Sequence, residues 1–170
     1  MELKDFIVDV PNYPKEGILF KDITPLLQNG NAFNEATTKL ADFAKSVDAN
    51  LIVGPESRGF IFGCPVANKL GVGFVPIRKP GKLPRKTIEE KYDLEYGSNI
   101  LSIHEDAIKP GDKVVIIDDL LATGGTLEAA IKLIKRCGAV CVGIGCVIEL
   151  KDLKGKEKLN NINVKCLISY

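Results

Sequence analysis

Val114 to Thr126 reads VVIIDDLLATGGT and holds the densest chemistry in the chain. Its β-branched start ends in two adjacent carboxylates, Asp118 and Asp119, followed by a loop with Thr123, Gly124, Gly125 and Thr126. Apolar β-branched runs form buried strands, and in open α/β sheets ligands bind beyond the carboxyl ends of such strands. Glycines let backbone N–H groups close on an anion, and the N-terminus of the following helix favours a phosphate there. Two carboxylates beside a phosphate cradle repel the phosphate unless something stands between them. Ribose hydroxyls, which donate hydrogen bonds to carboxylates, meet that need. So does Mg²⁺, which is commonly held by few protein carboxylates and by substrate phosphates. The pattern therefore asks for a ribose 5-phosphate. The alternative is a plain strand-to-helix turn with Asp119 as a helix cap, and the doubled aspartate on an apolar strand argues against it. The loop has no lysine and no G-x-x-x-x-G-K-[ST] spacing, which speaks against a P-loop nucleotide site.

Four other groups are candidates. GPESRGF (Gly54 to Phe60) follows the short apolar run LIVG, so Glu56, Ser57 and Arg58 belong to the same rim as Asp118. A planar guanidinium suits phosphate oxygens, while the alternative is a surface Arg58 paired to Glu56. Arg78, Lys79, Lys82, Arg85 and Lys86 form a Pro/Gly-rich basic stretch with no acid among them. Such a loop suits closure over an anion; the competing reading is a solvated charged face. Glu95 and Tyr96 in DLEYG either reach the site or sit on a surface hairpin. Phe20 in GILFKD either stacks on a flat ring or belongs to the core.

Composition narrows the classes. The chain has 170 residues, 45% hydrophobic and 6% aromatic, with no Trp, which favours a core of Ile, Leu, Val and Ala around a parallel sheet. A net charge of +1 gives no global attraction to nucleic acid or acidic membranes. His104 is the only histidine, so neither a Ser-His-Asp triad nor a His-based metal site is expected. The five cysteines include no Cys-x-x-Cys pair and read as reduced, buried small hydrophobes. Charges within the first ten residues speak against a signal-peptide core, and no apolar run reaches membrane-helix length, so a soluble intracellular protein is expected.

The elements that must position these residues alternate between helix and strand, which predicts an α/β fold. The pattern predicts a short helix over Glu2 to Val8, an extended Gly17 to Ile23, and a helix capped by Asn31 and running to about Lys45. Next come strand Leu51 to Gly54, a helix toward Leu70 made irregular by Pro65, and strand Gly73 to Arg78. The alternation of Ile88, Tyr92, Leu94 and Tyr96, then NILSI, predicts a hairpin. Strand Lys113 to Asp119, helix Leu127 to Arg136, and strands Val140 to Glu149 and Asn163 to Ser169 complete the chain.

Six stretches in order, YPKEGILFKDITPLL, GPESRGFIFG, IRKPGKLPRKT, YDLEYG, VVIIDDLLATGGT and LKGKEKL, resemble the type I phosphoribosyltransferase family, users of phosphoribosyl pyrophosphate (PRPP). The wording DDLLATGGT is similar to the adenine-using members in particular. The resemblance implies one domain over 1–170, with a central, mostly parallel sheet flanked by helices. It adds a small hood within about 1–30 over the base and a flexible hairpin loop. It implies transfer of the 5-phosphoribosyl group of PRPP to adenine, giving AMP and pyrophosphate, with Mg²⁺ held mainly by PRPP near Asp118 and Asp119.

By the same resemblance Arg58, Glu95, Asp118 and Asp119 are the catalytic set. Ala122, Thr123, Gly124, Gly125 and Thr126 anchor the 5-phosphate. Ser57, Arg58, Arg78, Lys79 and Lys82 take the pyrophosphate, and a cis peptide joins Glu56 to Ser57. Leu19, Phe20 and Lys21 hold the base, with lysine at 21 where many relatives carry arginine, and Tyr96 helps close the site. A cytoplasmic homodimer is implied, with Lys79 a candidate to reach the neighbour's site and no nucleic-acid or membrane partner. Hypoxanthine, guanine, xanthine or orotate is the alternative acceptor. A PRPP-sensing regulator without turnover is the alternative of another class; such regulators usually append a DNA-binding helical module, for which the chain has no room.

Overall fold

The computed structural model describes residues 1–94, 96–159 and 161–170. In chain order the strands and helices are β1 (Val8–Pro11), β2 (Leu19–Asp22), α1 (Thr24–Gln28), α2 (Gly30–Ser46), β3 (Leu51–Pro55), α3 (Arg58–Leu70) and β4 (Gly73–Ile77). They continue with β5 (Thr87–Asp93), β6 (Ser98–His104), β7 (Lys113–Leu121), α4 (Gly125–Arg136), β8 (Val140–Glu149) and β9 (Val164–Ser169). Five strands form a parallel sheet in the order β4-β3-β7-β8-β9, as the α/β reading expects. Two further antiparallel pairs, β1–β2 and β5–β6, stand apart from it.

The sequence of β7 explains its central place. Val114 and Ile116 pack with Leu127 and Leu133 of α4 on one face, while Val115 and Ile117 pack with Leu40 of α2 and Phe62 of α3 on the other. All four are fully buried, so the strand is apolar without alternation, as a doubly covered parallel strand must be. Truncating one, such as Ile116→Ala, costs about 2–5 kcal/mol. The β5–β6 hairpin lies on α4, and Arg78 and Ser102 exchange backbone hydrogen bonds of 2.9 and 2.7 Å that tie it to the end of β4.

Four expectations need correction. The expected helix over Glu2 to Val8 is a single 3-10 turn, Leu3–Phe6, after which Val8 to Pro11 pair with β2. β-branched Val8 and Val10 favour the extended form. Asn29, not Asn31, caps α2: its side chain accepts the Ala32 N–H at 3.0 Å because the helix starts directly after α1. Pro65, expected to make the start of its helix irregular, sits in the middle of α3, which runs on from Arg58 to Leu70 with buried Phe62, Val66 and Ala67 on either side of it. Cys64, expected among buried thiols, is exposed, whereas burial pushes Cys141 up to about 12. Among the described residues no helix is long and apolar enough to cross a membrane.

Candidate active site

β3 and β7 are direct neighbours in the sheet, in register from Leu51 against Val114, so the loops at their carboxyl ends open side by side. The first turns through a cis peptide between Glu56 and Ser57 into α3, and the second passes Ala122 to Gly124 into α4. Between them lies a cavity of about 420 Å³. Ser57, Arg58, Lys79, Asp118, Asp119 and the whole run Ala122 to Thr126 line it.

The loop after β7 is pinned in shape from behind. Gly124 has φ +87°, which glycine adopts at little cost, and a Cβ there would lie 2.7 Å from the Gly155 carbonyl oxygen. A Cβ on Gly155 would in turn stand 2.3 Å from the Ala122 carbonyl oxygen. The 3-10 turn Gly155–Leu159 is therefore backbone packed on backbone. It is held in place by Glu149, a buried acid that forms an ion pair with Lys156 Nζ at 3.1 Å and accepts a hydrogen bond from Ser169 Oγ at 3.3 Å. On the other side Tyr92 Oη and Thr126 Oγ1 share a hydrogen bond of 3.1 Å. Gly155 and Tyr92 escaped the sequence reading. The Gly in LKGKEKL looks like a linker glycine, and Tyr92 like any hairpin aromatic. The amides at the start of α4 face the cavity with the partial positive charge of a helix N-terminus.

Asp118 and Asp119 have separate surroundings. Arg58 Nε donates to Asp119 Oδ2 at 2.5 Å, while Asp118 Oδ1 accepts the Asp119 N–H at 2.8 Å. Burial, then the charge of Asp119, hold the Asp118 carboxyl well above the usual carboxylate range. The reading of Arg58 as a surface partner of Glu56 is overturned. Glu56 accepts instead from the Lys79 backbone N–H at 2.9 Å and from Arg78 Nε at 3.2 Å, and these bonds, the Lys79 one first, hold its carboxyl below the usual range.

The basic stretch is largely neutralised. Arg78 is tied to Glu56, Arg85 to Asp106 at 2.6 Å and Lys86 to Glu105 at 3.4 Å. Among the described residues Lys79 and Lys82 have no acidic partner, and Lys79 lines the cavity while Arg78 and Lys82 do not. Tyr96 projects from the hairpin tip, 85% exposed. Glu95 lies outside the described residues.

Leu19, Phe20 and Lys21 gather around a smaller cavity of about 100 Å³, closed on the far side by Arg58, Asp119 and Leu120. The Phe20 ring stands edge-on to Tyr13 at 5.1 Å and 5.6 Å from the Arg58 guanidinium. Lys21 contributes to this wall, but its ammonium is turned to Asp9 at 2.6 Å. Leu120 was missed because a leucine following two aspartates reads as the end of a strand. Its position beside the acids at the rim is the signal that could have found it.

A model of the phosphoribosyl transferase domain matches residues 25–169. The adenine phosphoribosyltransferase of Thermoanaerobacter pseudethanolicus superposes with a TM-score of 0.96 at 48% identity, over 99% of this chain and 98% of that one. That of Rhodothermus marinus gives 0.94 at 45%, over 99% and 96%. The Saccharomyces cerevisiae enzyme, solved with an imino-altritol bisphosphate and adenine, gives 0.91 at 43%, over 98% and 96%. A cleft at the ends of two parallel strands, a phosphate-shaped loop and likeness along nearly every residue lead to one assignment: the chain belongs to the phosphoribosyltransferase family.

Proposed function

We propose that the chain transfers the 5-phosphoribosyl group of PRPP to adenine, releasing pyrophosphate and giving AMP. The observation that carries this reading is a pair of cavities with shared walls. One has a phosphate loop and two aspartates, the other an aromatic wall, and Arg58 and Asp119 border both. The likeness to adenine phosphoribosyltransferases supports the choice of base.

In this reading the amides of Ala122 to Thr126 grip the 5-phosphate, and Asp118 and Asp119 accept hydrogen bonds from ribose hydroxyls. The acceptor lies against Phe20 beside Leu19 and Lys21, within a hood formed by about the first 30 residues. As the bond from C1 of the ribose to pyrophosphate breaks, positive charge grows on the ribose and negative charge on the leaving group. Fixed charges and dipoles answer both: the Asp119 carboxylate with Asp118 beside it at the ribose, and the Ser57 hydroxyl with Arg58, Lys79 and Lys82 at the pyrophosphate. Arg78 acts indirectly, by setting Glu56 and through it the Lys79 backbone. Glu95 is assigned the role of general acid/base, taking the proton that the acceptor nitrogen of adenine loses as it bonds to C1, and Tyr96 closure of the hairpin over the site. A Mg²⁺ ion held mainly by PRPP, with Asp118 and Asp119 nearby, would supply charge neutralisation at the phosphates. Two adjacent carboxylates at the rim suit such an ion, since Mg²⁺ is commonly bound by one or two carboxylates together with substrate phosphates. A cytoplasmic homodimer, with Lys79 reaching toward its partner, completes the reading.

The test is pyrophosphate release from Mg-PRPP with adenine, hypoxanthine, guanine, xanthine or orotate as acceptor. Adenine turnover at least 100-fold above the others is expected. Preference for another base overturns the acceptor, and PRPP binding without any turnover overturns the enzyme. Arg58→Ala is expected to lower kcat/KM by roughly 30- to 150-fold, about 2–3 kcal/mol for hydrogen bonds to a developing charge. Turnover within twofold of wild type in the same assay would remove Arg58 from the mechanism.

A further inference from the structure

The β1–β2 ribbon that carries Phe20 is only four residues long on each side, and a two-stranded ribbon is marginal by itself. Its angle over the acceptor cavity therefore depends on what ties it down. Side chains alternate along a strand, so Leu19 and Lys21 face one way and Phe20 and Asp22 the other. Lys21 is clamped: its side chain is only 9% exposed, it meets its cross-strand partner Asp9 at 2.6 Å, and its ammonium lies 3.7 Å from the centroid of the Tyr170 ring. Lys4, from the turn that precedes β1, lies 4.3 Å from the same ring.

Tyr170 is itself fixed to the main sheet. Its N–H donates to the Glu149 carbonyl at 2.9 Å, and its own carbonyl accepts from the Lys151 N–H at 2.9 Å. Glu149 is the residue whose side chain holds Lys156 and, with it, the turn behind the phosphate loop. The aromatic ring is thus a post at the site-bearing end of the sheet, and two lysines of the N-terminal segment rest on it. A cation over an aromatic face is attracted strongly when partly removed from water, as Lys21 is.

Resting on the adenine reading above, we propose that Tyr170 is a positioning residue. By gripping Lys21 on one face of β2, its ring sets the attitude of Phe20 on the other and so tunes affinity for the base without touching it.

The experiment compares Tyr170→Ala, Tyr170→Phe and Lys21→Met in steady-state kinetics and in hydrogen exchange. Tyr170→Ala should raise KM for adenine about 5- to 20-fold, the loss expected of a part-buried cation–aromatic contact, with kcat within threefold and KM for PRPP within twofold. Tyr170→Phe keeps the ring and should return KM for adenine to within twofold of wild type. Lys21→Met should match Tyr170→Ala, and combining the two should add less than twofold, because they break one contact. Exchange at residues 8–22 should quicken in Tyr170→Ala while residues 113–136 stay protected, a readout independent of the acceptor. The proposal is overturned by an unchanged KM for adenine in Lys21→Met or Tyr170→Ala, by failure of Tyr170→Phe to rescue, or by unchanged exchange in the ribbon. If Tyr170→Ala does not fold, Tyr170→Leu takes its place, since Lys21 itself borders the acceptor cavity and its loss alone does not separate positioning from contact. A wild-type protein that ignores adenine overturns the acceptor assignment instead, and the exchange arm then tests the latch.

Discussion

Asp119→Asn is expected to lower kcat/KM for PRPP by about 10²- to 10³-fold, the scale of losing one preorganised charged group from a water-excluded site. Asp119 is 7% exposed and touches both cavities through its own carboxylate and through Arg58. The substitution keeps shape and removes charge. Arg58 then loses its carboxylate partner and the ribose side of the cleft loses a strong acceptor. Pyrophosphate release under PRPP-limited conditions measures it. Asp106→Asn, which breaks an exposed pair with Arg85, is the matched control and should change rate by less than twofold. A value for Asp119→Asn within threefold of wild type would remove that carboxylate from the reaction.

The second large effect lies outside the conspicuous motif. Gly155→Ala places a methyl 2.3 Å from the Ala122 carbonyl oxygen and 2.8 Å from Leu121 Cδ1, both on the strand and loop that cradle the phosphate. Backbone cannot swing aside as a long side chain does, so either Gly155 or the loop shifts. Overpacking of this kind costs about 1–3 kcal/mol of stability. Displacement of a substrate-gripping loop by about 1 Å costs on the order of 10²-fold in rate. Thermal unfolding and KM for PRPP should both respond, with KM rising at least tenfold. Intact kinetics with normal stability would mean that the turn is not a buttress. Gly30→Ala tests the opposite case: its φ lies outside the left-handed region and no atom lies within 4 Å of the added methyl, so activity should hold.

Much of this site is legible in the sequence where chemistry and local pattern coincide. Val114 to Thr126 is readable because an unbroken apolar run, two acids and paired glycines each specify part of a strand, a rim and a helix start. Leu51 to Arg58 repeats that pattern on a smaller scale. Pairing is what the string hides. Arg58 lies two residues from Glu56 yet bonds Asp119, 61 positions away, because β3 and β7 are neighbours in the sheet. Arg78, read as a phosphate ligand, also bonds Glu56, because β3 and β4 are neighbours as well. The short segment before Pro11 was misjudged because four to seven residues carry too little periodicity to separate a helical turn from a strand. Gly155 and Tyr170 do their work through backbone packing and through a ring under lysines from the other end of the chain. No spacing in the primary structure announces either.

The guanidinium of Arg58 forms part of the wall of both hollows at once. A group shared in this way cannot serve two guests independently. Any ligand that draws it away from Asp119, or presses it back, changes the free energy of occupancy next door. Linkage requires the reverse influence to be equal in size. Donor and acceptor should therefore report on each other's presence at equilibrium before any bond is made or broken, each changing the other's affinity by the same factor.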